Sequence, residues 1–286
     1  MKVLLTAANG QLAQDIRDCW TAHQVFAFRR DELDITCATR VDEAIQQLRP
    51  DAIVNPAAFH FVDQCEDRWD EAFRVNVTAV ANLAQAAQKA GAILVQFSTD
   101  YVFDGAKRLP YLESDPTGPL STYAESRLAG EWMARHYCER CYVIRTCGLY
   151  GTGGATTRAG NFVETMLRLA QAGKSIRVVC DQIVTPTSTR ELALKLAEII
   201  PAAPFGIYHM TNTGVCSWYE FAEEVFRRFS LSPELSSITS REYGARARRP
   251  AYSVLENAQL RAAGVDDFSP WQEALAEYVA RREKRS

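Results

Sequence analysis

Three polar residues in the first half of the chain have the types and spacing of a proton-transfer group. Tyr123 and Arg127 are four residues apart in a predicted helix, so the guanidinium can lie beside the phenol on one face. A phenol donates a proton effectively at neutral pH when a fixed cation and a hydroxyl stabilise its anion. Thr99, at the end of a predicted strand, is the candidate hydroxyl. Because this spacing is common by chance, its position after a strand is what favours a catalytic interpretation.

A turn near the N-terminus occupies the position of a phosphate-binding turn. The run Thr6-Ala-Ala-Asn-Gly-Gln-Leu-Ala13 joins a predicted strand to a predicted helix, and the free N–H groups at a helix start attract an anion. Only Gly10 remains of the glycine-rich fingerprint, because alanines occupy positions 7 and 13. An ordinary strand-to-helix turn is the alternative.

Two arginines follow the second predicted strand. Arg29 and Arg30 lie about 19 residues beyond Gly10, where a carboxylate binds the adenosine 2′-hydroxyl of NADH or basic residues hold the 2′-phosphate of NADPH. Two guanidiniums favour NADPH, with NADH as a second choice. A solvated surface pair is the alternative.

The elements that must position these residues alternate between strand and helix. Short apolar runs at 3–5, 25–28, 52–54, 92–98 and 142–145 are separated by amphipathic stripes, one of them formed by Phe73, Val77 and Val80. Continuously apolar strands between helices indicate a parallel sheet that is covered on both faces. The predicted fold class is therefore α/β, a Rossmann-type doubly wound parallel sheet.

The alternation changes after Tyr150. A glycine-rich loop at 151–160 is either a lid or a plain connection, helices follow near 161–172, 189–200 and 218–229, and Ser269 is predicted to cap the last helix. A strand at about 207–210 is predicted to return to the main sheet. We therefore expect a dinucleotide-binding domain over 1–150 and, in 151–286, mainly a smaller C-terminal substrate-binding lobe.

Composition excludes several classes of protein. The 32 Lys and Arg against 35 Asp and Glu give a net charge of −3, so no basic field would collect nucleic acid. The apolar runs are far shorter than the ~20 residues that cross a bilayer. The eight cysteines are interpreted as reduced thiols, and Cys138 and Cys141 lack the second pair of a zinc site. We expect a cytoplasmic protein with no metal, no nucleic acid and no membrane partner.

The motifs occur in the order of a known family. The chain resembles the extended short-chain dehydrogenase/reductases and, among them, the dTDP-4-dehydrorhamnose reductases. The segments that carry this resemblance span nearly the whole chain: Asn9-Gly-Gln-Leu12, Glu32-Leu-Asp-Ile-Thr36, Asn55-Pro-Ala-Ala-Phe59, Val62-Asp63, Ser98-Thr-Asp-Tyr-Val-Phe103, Tyr123 with its helix, Arg145-Thr146, Leu149-Tyr-Gly151, Asn161-Phe162, Met166-Leu-Arg-Leu169, Asp181-Gln182, Pro186-Thr187 and Arg249-Pro250.

The resemblance implies NAD(P)H-dependent reduction of the 4-keto group of a nucleotide-linked 6-deoxysugar, namely dTDP-4-dehydro-L-rhamnose to dTDP-L-rhamnose. It implies that Thr99, Tyr123 and Arg127 are catalytic, that Thr99 and Asp100 meet the sugar, and that a homodimer can form. The implied cofactor contacts are Gly10, Gln11 and Leu12 at the pyrophosphate, Asp34 and Ile35 at the adenine, Ala57, Ala58 and Phe59 along the channel, and Tyr123 and Arg127.

Three positions depart from the family pattern. Arg127 replaces a catalytic lysine, Ala7 replaces the first fingerprint glycine, and Gly148 replaces a tryptophan that contacts substrate. Two alternatives therefore stay open: a non-catalytic, cofactor-binding regulatory homologue, and a nucleotide-sugar 4-epimerase that uses the same trio with a retained cofactor. Dehydration is disfavoured, because Tyr101 follows Asp100 where a second carboxylate is needed.

Overall fold

The computed structural model describes residues 1–153 and 160–284, with the elements expected of an α/β protein. The strands are β1 (Lys2–Leu5), β2 (Gln24–Ala27), β3 (Ala52–Asn55), β4 (Ile93–Thr99), β5 (Cys141–Thr146), β6 (Leu149–Tyr150), β7 (Ile176–Val179), β8 (Ile183–Val184), β9 (Thr187–Ser188), β10 (Gly206–His209), β11 (Cys216–Ser217) and β12 (Leu235–Ile238). The α-helices are α1 (Gln11–Cys19), α2 (Ala38–Leu48), α3 (Val62–Cys65), α4 (Trp69–Phe73), α5 (Ala79–Ala90), α6 (Thr122–Tyr137), α7 (Phe162–Gln171), α8 (Thr189–Ala202), α9 (Trp218–Arg228), α10 (Ser240–Tyr243), α11 (Ala258–Ala262) and α12 (Trp271–Glu283).

Six strands form one parallel sheet in the order β10-β5-β4-β3-β1-β2. The chain reverses its direction of winding between β1 and β3, and such a switch point opens a crevice at the carboxyl ends of the strands. Because β10 pairs with β5, a strand from the second half of the chain completes the sheet. The predicted fold class is confirmed.

Alternate residues of each strand enter two separate apolar layers. Val54 and Val95 pack with α1 and α8 on one face, whereas Ile53 and Leu94 pack with α2, α5 and α6 on the other. Since both faces are covered, every side chain of β3 and β4 is buried, which explains the unbroken apolar run at the start of each strand.

A third apolar cluster belongs to the second half of the chain. It is built around Phe221 and Trp271 on α9 and α12, together with residues of α7 and β7. The sequence analysis placed the helix near 189–200 in this lobe, but the apolar side chains of α8, including Leu192 and Leu196, join the layer of α1 instead. The lobe therefore begins and ends on elements that flank α8.

Two local predictions are wrong. A π-helical turn, Arg74–Thr78, separates α4 from α5, so the extra residue turns Ala72 and Asn76 inward in place of the predicted Phe73 and Val77. Ser269 does not cap α12, because Pro270 occupies the N-cap position and the Ser269 N–H donates to Glu191 Oε2 at 3.0 Å.

The predicted loop at 151–160 falls largely on residues 154–159, which lie outside the described residues. Within the described ranges, no helix is both long and apolar enough to span a membrane.

Candidate active site

Helix α6 begins beside the carboxyl end of β4 because Ser121 caps it. The Ser121 hydroxyl accepts from the Ala124 N–H at 3.3 Å, and the Glu66 carboxylate accepts from the N–H and hydroxyl of Thr122 at 2.9 and 3.0 Å. These bonds satisfy the free donors of the first turn, which contains Tyr123. Arg127 follows one turn later on the same face.

Arg127 is buried against the end of β4 with its guanidinium only partly satisfied. Its Nη2 donates to the Phe97 carbonyl oxygen at 2.5 Å. The Nε and Nη1 groups are buried and have no hydrogen-bond partner among the described residues. Since an orphaned buried donor is costly, two N–H groups of a charged side chain are available to a ligand here.

Thr99 and Asp100 lie at the point where β4 ends. Thr99 Oγ1 donates to Asp100 Oδ1 at 3.0 Å and accepts from the Tyr101 N–H at 3.2 Å. Asp100 is 3% exposed, and burial raises the pKa of its carboxyl to about 6, although the Ser253, Cys147 and Thr99 side chains act to lower it.

The environment of Tyr123 keeps its phenol protonated at neutral pH. Burial raises the pKa of Tyr123, whereas the charge of Arg127 and a hydrogen bond from Thr99 act to lower it. Tyr101 packs edge-on to Tyr123, with 6.1 Å between the ring centroids. The three predicted catalytic side chains therefore influence one another as a proton donor, a cation and a hydroxyl should.

A buried ion pair fixes these elements relative to one another. The Glu131 carboxylate accepts from Arg145 Nε and Nη2 at 2.9 and 2.7 Å and from the Ser98 hydroxyl at 2.5 Å. Glu131 lies one turn beyond Arg127 on α6, while Ser98 and Arg145 are paired neighbours on β4 and β5. The network therefore ties the helix that carries Tyr123 to the strand that carries Thr99.

Thr99, Tyr123 and Arg127 face a cavity of about 570 Å³ at the switch point of the sheet. Its described walls come from the turn after β1, the loop after β3, the ends of β4 and β5, and the start of α7: Ala7, Asn9, Gly10, Gln11, Leu12, Ala13, Pro56, Ala58, His60, Phe97, Ser98, Thr99, Asp100, Tyr123, Arg127, Thr146, Gly148, Leu149, Gly160 and Asn161. A larger cavity lies at the opposite ends of the strands, near Arg49 and Arg140, and none of the predicted catalytic residues lines it.

The predicted phosphate turn forms one wall of the cavity. Gly10 caps α1 with an extended backbone, and Gly10, Gln11 and Leu12 all line the cavity. The first N–H groups of a helix have no partner within that helix, so an anion can bind here. The Gln11 side chain turns away, because its Nε2 donates to the Leu149 carbonyl oxygen at 3.1 Å. The left-handed residue of the turn is Ala7, with φ of +53°.

The residues predicted at the adenosine end lie outside the cavity wall. Arg29 is exposed and forms ion pairs with Asp31 and Glu32, and Arg30 is also exposed. Asp34 Oδ1 accepts from the Thr36 N–H and hydroxyl at 2.9 and 2.7 Å. Ile35 is buried in the apolar layer of α2 and α5. Their predicted contacts with the adenosine stay predictions.

Only the middle residue of the predicted 57–59 channel borders the cavity. Ala58 lines it, while Ala57 packs against the apolar layer of α2 and α5. Phe59 is fixed through its backbone, because the Asn76 side chain accepts from its N–H at 2.9 Å and donates to its carbonyl oxygen at 3.1 Å. The π-helical turn that buries Asn76 therefore fixes the loop after β3.

Thr146, Asn161 and His60 are among the cavity residues to which the sequence analysis gave no role. Thr146 Oγ1 is buried and unpartnered within the described part of the chain. Asn161 caps α7 and donates to Gln11 Oε1 at 3.1 Å. The positions of Thr146 and Asn161 inside family segments could have signalled a role, whereas no pattern distinguished His60.

An aromatic ring from another element lies beside Gly148. Its φ is +54°, and a Cβ there would lie 3.1 Å from the tip of the Trp218 ring, at the start of α9. Trp218 packs on Phe162, with 4.7 Å between the ring centroids. The space that a side chain at position 148 would fill is therefore taken by an aromatic ring of the lobe.

Relatives of known name share the full length of this chain. It is 40% identical to the spore coat polysaccharide biosynthesis protein SpsK of Bacillus subtilis, with 98% of each chain covered. It is 39% identical to a dTDP-4-dehydrorhamnose reductase of Streptomyces griseus, covering 96% of this chain and 91% of that one. A dTDP-4-dehydrorhamnose reductase from Bacillus anthracis, solved in complex with NADP, matches with a TM-score of 0.94 and 35% identity over 98% and 99% of the two chains.

The resemblance stated from the motifs is thereby confirmed at the level of the family. The family model described as the RmlD substrate binding domain matches residues 1–284, and this chain belongs to that family.

Proposed function

We propose that the protein is an NADPH-dependent reductase of the 4-keto group of a dTDP-linked 6-deoxysugar, converting dTDP-4-dehydro-L-rhamnose to dTDP-L-rhamnose. The observation that carries the proposal is the convergence of Thr99, Tyr123 and Arg127 on one cavity at the switch point of the sheet. Relatives named dTDP-4-dehydrorhamnose reductase that share this chain's full length support the substrate class.

The cavity residues fit a nicotinamide dinucleotide. The start of α1, from Gly10 to Leu12, would hold the pyrophosphate with free N–H groups. The unpartnered Arg127 donors and the Thr146 hydroxyl are buried polar groups that need a ligand. Arg30 would face the adenosine phosphate, and the complex of the Bacillus anthracis relative with NADP supports NADPH over NADH. When bound, NADPH supplies the hydride that reduces the sugar carbon.

Proton transfer would come from the chain itself. Tyr123, protonated at neutral pH, donates its phenolic proton to the oxygen that becomes the new hydroxyl. As the phenolate forms, Arg127 stabilises it by its fixed charge. Thr99 has a single hydroxyl proton, shared in the free protein with Asp100, and it can rotate this proton toward the phenolate.

Arginine is a workable substitute for lysine in this position. Like lysine it supplies a positive charge, and its planar fork can donate to Phe97 and to a ligand at the same time. We therefore expect Arg127→Met to lower kcat by roughly 100-fold or more, and Arg127→Lys to give no gain over wild type.

The decisive experiment follows NADPH oxidation by the purified protein with the dTDP-4-keto-6-deoxysugar generated in place by an upstream dehydratase and epimerase. Wild type should turn over, and Tyr123→Phe should lose roughly 100- to 10,000-fold in kcat. The matched control is Tyr137→Phe, since Tyr137 is exposed at the end of the same helix. Binding of NADPH to Tyr123→Phe, followed by fluorescence, should persist.

Two other outcomes would contradict the proposal. Conversion of the sugar's C4 configuration without net NADPH consumption would identify a 4-epimerase. NADPH binding with no turnover of any dTDP-keto-sugar would identify the non-catalytic regulatory protein that Arg127 and Ala7 suggested. Turnover of a different dTDP-sugar would preserve the reaction and change only the substrate.

The remaining expectations are part of the same proposal. We propose that the lobe around Phe221 and Trp271 binds the nucleotide-sugar, and its position beside the cavity supports this role. We propose a cytoplasmic location, supported by eight cysteines that are all free thiols. A homodimer stays a prediction, which light scattering of the purified protein would test.

A further inference from the structure

One titratable side chain of the cavity has no part in the proposed reaction. His60 lines the cavity that also holds Thr99, Tyr123 and Arg127. It is exposed, in contrast to its buried neighbours Asn76 and Cys65. An exposed imidazole in the wall of a ligand cavity is placed to contact a ligand rather than to support the core.

Backbone hydrogen bonds and an aromatic contact fix the loop that carries His60. Both backbone groups of Phe59 are bound by the Asn76 side chain. The His60 ring stacks on Phe61, with 4.4 Å between centroids and 27° between planes. His60 is therefore presented from a fixed loop, which reduces the entropy lost when a ligand binds to it.

The imidazole is poised as a neutral acceptor. His60 Nδ1 lies 3.5 Å from the Ala58 carbonyl oxygen, which can only accept, so this contact favours the tautomer with its proton on Nδ1 and a lone pair on Nε2. Desolvation lowers the pKa of His60, as does the charge of Arg127, whereas the contact with the Ala58 carbonyl oxygen acts to raise it. A neutral Nε2 acceptor is matched by a hydroxyl group and not by a phosphate.

His60 lies next to a segment from the second half of the chain. The adjoining helix α3 carries Asp63, whose carboxylate accepts from Arg249 Nη1 and Nη2 at 3.1 and 2.8 Å and from the Ala247 N–H at 2.9 Å. Arg246 also pairs with Asp67 just beyond α3. The C-terminal segment therefore packs against α3 next to His60, whereas the phosphate turn at Gly10 lies on another wall of the cavity.

We propose that His60 is a substrate-contacting residue that accepts a hydrogen bond from a hydroxyl of the hexose, and so contributes to the affinity for the nucleotide-sugar rather than to the chemical step. This inference rests on the proposed function, because it takes the hydroxylated sugar as the ligand of the cavity. The nicotinamide cofactor is the competing ligand that the test must exclude.

The test uses the small number of histidines in this chain. With only four in the sequence, the ring signals of histidine-labelled protein can be assigned with His60→Ala and His136→Ala. NADPH and dTDP-L-rhamnose are then titrated separately and together. The His60 signal should move when dTDP-L-rhamnose is added to the NADPH-bound protein and should stay nearly unchanged with NADPH alone.

Kinetics provide the second measurement. His60→Ala should raise the KM for the dTDP-keto-sugar about tenfold and change kcat by less than about twofold, because one hydrogen bond to the ligand is lost. The KM for NADPH should stay constant. His136→Ala is the matched control, since His136 is exposed and packs edge-on to a neighbouring aromatic ring, Tyr137, far along α6.

The outcomes separate this inference from the proposed function. A wild-type protein that turns over while the His60 signal ignores dTDP-L-rhamnose overturns the inference alone. A His60 signal that moves fully with NADPH alone assigns the residue to the cofactor and also overturns it. Absence of both turnover and dTDP-L-rhamnose binding in wild type would contradict the proposed function and the inference together.

Discussion

At the scale of the residue, Asp100 is a buried carboxyl that accepts a hydrogen bond from Thr99. This bond orients the hydroxyl that, in the proposed reaction, acts on Tyr123. The same burial that raises the pKa of Asp100 to about 6 makes the ionised form unfavourable in the folded state. The site therefore keeps an orienting carboxylate that lowers the stability of the fold.

This conflict predicts a pH-dependent effect of Asp100→Asn. The folded pKa of Asp100 lies above its ordinary value of 3.8, so the native state binds more protons between about pH 4 and 6 and loses stability as the pH rises through that range. Asp100→Asn has no carboxyl to titrate at this position. Its free energy of unfolding relative to wild type should therefore be about 2 kcal/mol higher at pH 7.5 than at pH 4.5.

Urea unfolding at the two pH values measures this difference. Asp31→Asn is the control, because Asp31 is 72% exposed and its loss should change stability little at either pH. A difference between Asp100→Asn and wild type that is the same at both pH values would show that Asp100 titrates as in the unfolded chain. Turnover of Asp100→Asn should stay close to that of wild type, because the Asn side-chain oxygen can still accept from the Thr99 hydroxyl.

At the scale of the element, the turn between β1 and α1 places an alanine in a strained backbone conformation. Ala7 adopts φ of +53°, a left-handed conformation that costs a residue with a Cβ about 1–2 kcal/mol relative to the right-handed one. The Gly10 N–H donates to the Ala7 carbonyl oxygen at 2.8 Å and closes the turn. The turn thus keeps its shape without the glycine that would relieve it.

We therefore expect Ala7→Gly to stabilise the protein by about 1 kcal/mol, since relief of the left-handed strain exceeds the entropy cost of glycine. The adjacent Ala8→Gly is the matched control and should destabilise it, because Ala8 does not have a positive φ. Thermal or urea unfolding of the two variants decides. A loss of stability in Ala7→Gly would show that the alanine side chain packs more favourably than its backbone is strained.

At the scale of the whole molecule, one buried carboxylate links the first helix to the last. Asp15 of α1 is 1% exposed, accepts from the Thr189 hydroxyl at 2.5 Å and pairs with Arg281 of α12 at 3.3 Å. A Cβ on Gly151 would lie 1.9 Å from Thr189 Oγ1, so the connection into the lobe also passes this point. Helix α1 and the lobe are therefore joined through Asp15 as well as through the bond from Asn161 to Gln11.

Breaking this link should destabilise the protein far more than losing a surface pair. Arg281→Met leaves the Asp15 charge buried with little compensation, and we expect a loss of about 3 kcal/mol in urea unfolding. Arg227→Met is the matched control, since Arg227 is 64% exposed in its pair with Glu224 and should cost less than about 1 kcal/mol. Equal effects of the two variants would show that Asp15 is satisfied without Arg281.

The sequence by itself determined the fold class and the strands of the main sheet, and it named the three residues of the proposed catalytic trio. An apolar run is a local property of the sequence, and a strand buried on both faces is largely apolar, as the first three residues of β3 and of β4 are. Tyr123 and Arg127 could be paired from the sequence for a related reason, because residues four positions apart on a helix lie next to each other.

The tertiary structure alone decided what lies beside these residues. Several features depend on packing between distant segments. They are the inward turn of Asn76 at the π-helical turn, the packing of α8 beside α1, the contact of Trp218 with Gly148 and the exposure of His60 in the cavity. Such contacts join residues as distant in sequence as Asp15 and Arg281, which are 266 positions apart, and no local pattern encodes them. Hydrophobic periodicity fixes which face of an element is buried, but the partner of that face is chosen only when the whole chain packs.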